Sequence, residues 1–164
     1  MCAAEHDVSF SYSRARGLAC PQLKRGSLGN AMNDSFTIHS SDDGARFELT
    51  RHNRGNLIAE LNGRGLQASV LVSSYMFEGF ASFFGGLATN WKGWQGERVW
   101  NSLEGELTLK AMSDRTGHVH VVVNVRDGAP PRWELSVVVA LEAGQLDGLA
   151  ARAHVFEESV TRAA

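Results

Sequence analysis

From Phe36 to Val72 apolar and polar side chains alternate with a period of two, and this feature commits the first half of the chain to building sheet. Phe36 and Ile38 oppose Thr37 and His39, and Phe47 and Leu49 alternate with Arg46, Glu48 and Thr50. Leu57, Ala59 and Leu61 repeat the pattern, as do Leu66, Ala68, Val70 and Val72. Clusters of Ser, Asp, Asn and Gly at 40–44, 52–56 and 63–65 break the runs, so they read as four short strands in an antiparallel meander.

The period then switches. Met76, Phe77, Phe80, Phe83, Phe84, Leu87 and Trp91 recur at three- and four-residue spacing, which predicts one amphipathic helix with an aromatic face. Gly79, Gly85 and Gly86 each cost roughly 1 kcal/mol inside a helix, and their missing side chains would let it lie close on a sheet. The segment 91–96 ends it as a loop. Leu103, Gly105, Leu107, Leu109 and Ala111 then share one strand face, with Glu104, Glu106, Thr108 and Lys110 on the other. After a hairpin at 113–117, Val119, Val121, Val123 and Val125 face inward, opposite His118, His120, Val122, Asn124 and Arg126. A turn at 127–131 leads to Trp133, Leu135, Val137, Val139 and Leu141. A closing helix over 144–159 carries Leu146, Leu149, Ala150, Ala153 and Phe156. The expectation is an α+β fold, mainly antiparallel, of about seven strands with two helices packed on the sheet. The pattern leaves open whether there is one sheet or two.

Composition narrows the function. At 164 residues, 43% hydrophobic and 21% charged, the chain has room for one globular domain and a tail. Residues 1–31 hold both cysteines, Cys2 and Cys20, and lack sustained periodicity. They read as a disordered arm, docking if at all through Phe10 and Tyr12, or as an artefact of start-site choice, with Met32 opening a single domain over 32–160. From Met32 onward there are 12 basic and 16 acidic residues, a net charge of −4, which repels a nucleic-acid backbone. That domain has no cysteine, so thiolate catalysis, a CxxC metal site and disulfides within the fold are excluded. No apolar run, Val137 to Leu141 included, approaches the roughly 20 residues of a membrane span. The N-terminus lacks the apolar core of a secretory signal, and the expected location is cytoplasmic.

Candidate chemistry is sparse. His118 and His120 project from one strand face, the i, i+2 spacing that metal sites use with a third ligand from a neighbouring strand. A hairpin centred on 114–116 would set Lys110 opposite His120 and Met112 opposite His118, and a lysine there disfavours a cation. Glu104 and Glu106 resemble an acid–base pair. The same register sets them opposite Arg126 and Asn124, with Glu134 and Arg132 one strand further, so cross-strand pairing accounts for them. Neither a G-x-S-x-G elbow nor a glycine-rich phosphate cradle is present. No catalytic, metal or cofactor residue is assigned. Trp91, Trp94 and Trp100 fall close together; Trp91 belongs to the helix stripe and Trp94 is the expected exposed member. The residues left for partner binding are Trp94, Glu104, Glu106, His118 and His120.

Several stretches are similar to a known family. They are Trp91-Lys92-Gly93-Trp94-Gln95-Gly96-Glu97 into Trp100-Asn101-Ser102-Leu103-Glu104-Gly105-Glu106-Leu107, Gly117-His118-Val119, Asp127-Gly128-Ala129-Pro130-Pro131-Arg132-Trp133, and Leu141-Glu142-Ala143-Gly144-Gln145-Leu146. Together they resemble an actinobacterial family, domain of unknown function 6228, over nearly the whole of 32–156. The order of a Phe/Leu helix, a Leu-Glu-Gly-x-Leu strand and a Gly-His-hydrophobic strand also resembles the WapI-like immunity proteins, small cytoplasmic proteins that bind a cognate toxin domain. That resemblance carries no site residues, and the tryptophan-rich loop departs from the immunity pattern. It implies a non-enzymatic protein-interaction module whose acidic surface docks on a basic, toxin-like partner. The alternatives are a small-ligand or carbohydrate-binding domain using the Trp91–Trp100 loop, and an enzyme acting through His118, His120 and neighbouring carboxylates.

Overall fold

The computed structural model describes residues 34–114 and 116–163; the expectation for 1–31 lies outside them. Two four-stranded antiparallel sheets and two helices make up the fold. The first sheet is the meander β1 (Ser35–His39), β2 (Arg46–Asn53), β3 (Asn56–Gly63) and β4 (Leu66–Ser73), in that order. Helix α1 (Phe80–Thr89) connects it to β5 (Arg98–Asn101), β6 (Leu107–Ser113), β7 (His118–Asp127) and β8 (Trp133–Glu142), which form the second sheet in chain order. Helix α2 (Ala143–Ala163) closes the chain. The fold is thus α+β and mainly antiparallel, with eight strands where the pattern suggested about seven.

The inner faces are those that the two-residue period selects. Phe36, Ile38, Phe47, Leu49, Leu57, Ala59 and Leu61 are fully buried on one sheet, and Leu107, Leu109, Ala111, Val119, Val121, Val123 and Val125 on the other. Leu146, Leu149, Ala153, Phe156 and Val160 form the buried stripe of α2, which packs on α1 and against β1 and β8. Phe36, Phe77, Phe80, Phe84, Trp100 and Phe156 meet in an aromatic cluster where the helices join the sheets. Phe80 is its hub, with ring centroids 4.9 to 6.1 Å from Phe36, Phe77, Phe84, Trp100 and Phe156.

Helix α1 is shorter than its apolar stripe. Met76 (φ 53°) and Gly79 (φ 83°) are both left-handed, so helical backbone starts only at Phe80. Asn90 stops the other end, its Nδ2 donating to Gly86 O at 2.8 Å. Met76 and Trp91 therefore fall off the helix and stand 71% and 52% exposed, against the expectation that both line its core face. Gly79 caps the helix instead of interrupting it. α1 has no side-chain cap of its own; Glu157 of α2 supplies one, accepting from Ala81 N–H at 2.5 Å.

The β5–β6 region also differs. The predicted strand beginning at Leu103 starts later, since residues 102–106 turn and β6 begins at Leu107, and Arg98–Asn101 forms a further strand, β5, ahead of it. Gly105 (φ 73°) lies in that turn and Leu103 is 53% exposed. Trp100 alternates correctly into the core from β5, its Nε1 donating to Glu78 O at 3.2 Å. Four residues with only two apolar ones, Val99 and Trp100, give too little alternation to announce a strand.

Candidate functional site

β6 and β7 pair with Met112 opposite His120 and Lys110 opposite Val122, two residues away from the predicted register. A two-residue shift keeps every side chain on its face, so the imidazoles remain outside. It changes their neighbours. His118 now opposes Glu142 on β8, and His120 lies between Met112 and Ala140. Lys110 is not beside His120.

His118 sits between two carboxylates. Its Nδ1 is 3.0 Å from Asp114 Oδ2 and its Nε2 is 3.4 Å from Glu142 Oε1, while Thr116 Oγ1 lies 2.8 Å from Nδ1. The hairpin turn creates part of this arrangement: Asp114 Oδ1 accepts from the backbone N–H groups of Thr116 at 2.8 Å and His118 at 3.2 Å. Sequence reading passed over Asp114, although an Asp two residues before Thr-Gly in a hairpin loop is a turn-forming signal. The His118 side chain is 47% exposed, Asp114 35% and Glu142 53%. The constellation is an open surface cluster. Among the described residues, no group of three or more His, Cys, Asp and Glu is placed to hold a metal ion.

Hydrogen bonds from Thr116, side chain and then backbone, with smaller contributions from His118, hold the Asp114 carboxyl far below its ordinary value. A depressed carboxylate contributes stability that is complete above the unfolded value, near 3.8, and is lost as pH falls toward the folded one. Asp114→Asn is therefore expected to lower thermal stability at pH 7 and to flatten the loss of stability below about pH 4. Melting temperatures of both proteins between neutral and strongly acidic pH check this; parallel curves would contradict it.

Glu104 and Glu106 lie at the opposite end of the same outer face. The seven residues of β6, at ~3.3 Å each, separate them from the histidines by about 20 Å. Glu104 is exposed in the β5–β6 turn, and its carbonyl, not its carboxylate, accepts from Arg126 Nη2 at 3.0 Å. Glu106 accepts from Ser102 Oγ at 2.7 Å, and its backbone O accepts from Arg126 N–H. This end also has a pocket of about 440 Å³ lined by Arg126, Asp127, Gly128, Arg132, Trp133 and Glu134, which the sequence did not single out.

The tryptophans exchange roles. Trp94, expected outside, is half-buried against the core with the Arg98 guanidinium 4.9 Å over its ring. Its Nε1 is buried and has no hydrogen-bond partner among the described residues. Trp100 is buried, leaving Trp91 as the exposed ring, with Lys92 Nζ 5.5 Å from its centroid. The three rings of the Trp91–Trp100 loop thus stand in three different surroundings. The five residues selected from sequence thus fall in three places: the histidines at one end of the second sheet, the glutamates at the other, and Trp94 beside α1.

A second acidic element joins the histidine end. Ser41 N–H donates to Ala140 O at 2.9 Å, tying the β1–β2 turn and its Asp42 and Asp43 to β8 two residues from Glu142. No helix among the described residues is long and apolar enough to cross a membrane. A family model described only as a family of unknown function (DUF6228) matches residues 38–159. No curated protein and no solved structure matches the chain.

Proposed function

We infer that this chain, which belongs to the DUF6228 family of unknown function, is a non-enzymatic protein-interaction module that docks on a basic protein partner through an acidic surface. The observation carrying this reading is the convergence of Asp42, Asp43, Asp114 and Glu142 at one end of the fold, on turns joined by the Ser41–Ala140 and His118–Glu142 contacts. Cations accompany them: Arg64 acts electrostatically on Asp43, and Arg115 follows Asp114 in the sequence. Carboxylates outnumber them, as they do in the whole domain. Such a patch steers a cationic partner and raises its association rate.

Open geometry supports binding over chemistry. A general acid or base is tuned by burial and water exclusion, and His118, Asp114 and Glu142 have neither. The reading extends to an immunity-like role in the cytoplasm, in which the partner is a toxin domain; the loose similarity to WapI-like immunity proteins supports that extension.

Affinity capture from the native host with two baits tests it, one wild type and one carrying Asp42→Lys with Glu142→Lys. The wild type is expected to retain one stoichiometric partner that salt releases, and the reversed bait to bind it at least about tenfold more weakly. Equal capture by both baits, or no stoichiometric partner for either, would overturn the reading.

A further inference from the structure

β8 lies at the edge of the second sheet, and its open side is only partly used. An antiparallel ladder points the N–H and C=O of alternate residues to opposite sides of a strand. Ala140 establishes the parity. Its N–H donates to Ser40 Oγ at 3.3 Å and its C=O accepts from Ser41 N–H at 2.9 Å, both away from β7. Glu142 N–H also points away, to Gln145 Oε1 at 2.8 Å. On β7 the parity agrees, because Arg126 N–H and His118 C=O bond on the β6 side. Glu134, Ser136 and Val138 must therefore direct their backbone groups outward, and among the described residues those groups have no partner.

Side chains along this stretch do not guard the edge. No Lys, Arg or Pro occurs between Trp133 and Glu142, although these are the residues that ordinarily blunt an exposed strand. Leu135 and Val137 are half-buried on the inner face, and Val138 is 50% exposed on the outer one.

We propose that β8 pairs antiparallel with β8 of a second copy about a two-fold axis at Ser136, joining the two β5–β8 sheets into one continuous sheet. The strand is complementary to itself in that register. Ser136 meets Ser136, Leu135 meets Val137 on the inner face, and Glu134 meets Val138 on the outer face. Every outward N–H and C=O of Glu134, Ser136 and Val138 gains a partner. Centring the axis on Val138 would oppose Glu134 to Glu142 and require Ala140, already engaged with Ser40 and Ser41. Centring it on Glu134 would oppose that carboxylate to itself. An isologous contact of this kind closes after two copies, leaving no free β8 edge to propagate.

Sedimentation velocity and light scattering on the full chain test the pairing, using wild type, Ser136→Pro and Ser136→Asp. The Ser136 N–H is not part of the β7–β8 ladder, so proline there removes a donor that only a second copy would use. Ser136→Asp changes a side chain alone and sets two like charges directly opposite each other on the axis, each beside a Glu134. The wild type is expected to sediment at twice the monomer mass, and each variant as a monomer with an unchanged circular dichroism spectrum. A wild type that stays monomeric at the highest soluble concentration overturns the proposal, as does a dimer that survives both substitutions. The acidic end lies past Ala140, so dimerisation and partner capture fail independently.

Discussion

Replacing Phe80 with alanine is expected to destabilise the fold by about 3–5 kcal/mol, the range for truncating a large buried aromatic. Phe80 is fully buried and its ring touches five others, contributed by β1, the β4–α1 connection, α1 itself, β5 and α2. No single neighbour can move into the space without leaving its own partners. The loss therefore includes both the transfer term and a cavity that persists. At roughly 3–4 °C per kcal/mol for a domain of this size, the melting temperature should fall on the order of 10 °C or more. Met76→Ala is the matching control, since helical spacing alone would place Met76 and Phe80 on the same stripe. Met76 is 71% exposed, and its truncation should stay within about 0.5 kcal/mol. Similar losses for the two variants in urea titrations would show that the aromatic cluster is not assembled as described.

Glu157→Ala should cost about 1–2 kcal/mol, although Glu157 lies on α2 and acts on α1. The Glu157 carboxylate accepts from Ala81 N–H in the first turn of α1, where Gly79 contributes no side-chain oxygen and no acidic residue of α1 is present. A carboxylate there satisfies a donor with no helical partner and meets the positive end of the helix dipole. Glu157→Gln keeps an acceptor and loses the charge, so it should recover part of the difference. Chemical denaturation of the three proteins measures this. Equal stability of the alanine variant and wild type would mean that water caps α1 as well as Glu157 does.

These two sites differ in how far local sequence leads toward them. The burial of Phe80 follows from a spacing that any helix imposes, whereas the cap on α1 joins residues 76 positions apart. The candidate surface divides in the same way. That His118 and His120 face outward is a consequence of strand geometry; that His118 lies between Asp114 and Glu142 is not. Trp94 and Trp91 were misassigned because the helix end, and not the apolar spacing, decides which ring turns inward. Asn90 and the backbone beyond it set that end.

By itself, then, the sequence determined the alternation of faces: a period of two or of 3.6 is a property of the backbone, and each residue carries it locally. It determined the α+β class and nearly all of the buried residues for the same reason. The tertiary structure alone decided that there are two sheets, that β6 and β7 pair two residues from the simplest hairpin, and that the Asp42–Asp43 turn reaches β8. Those outcomes depend on contacts between residues far apart in the chain. A register shift of two leaves the apolar pattern unchanged, so hydrophobic burial cannot distinguish the alternatives, and turn geometry with specific hydrogen bonds has to choose among them.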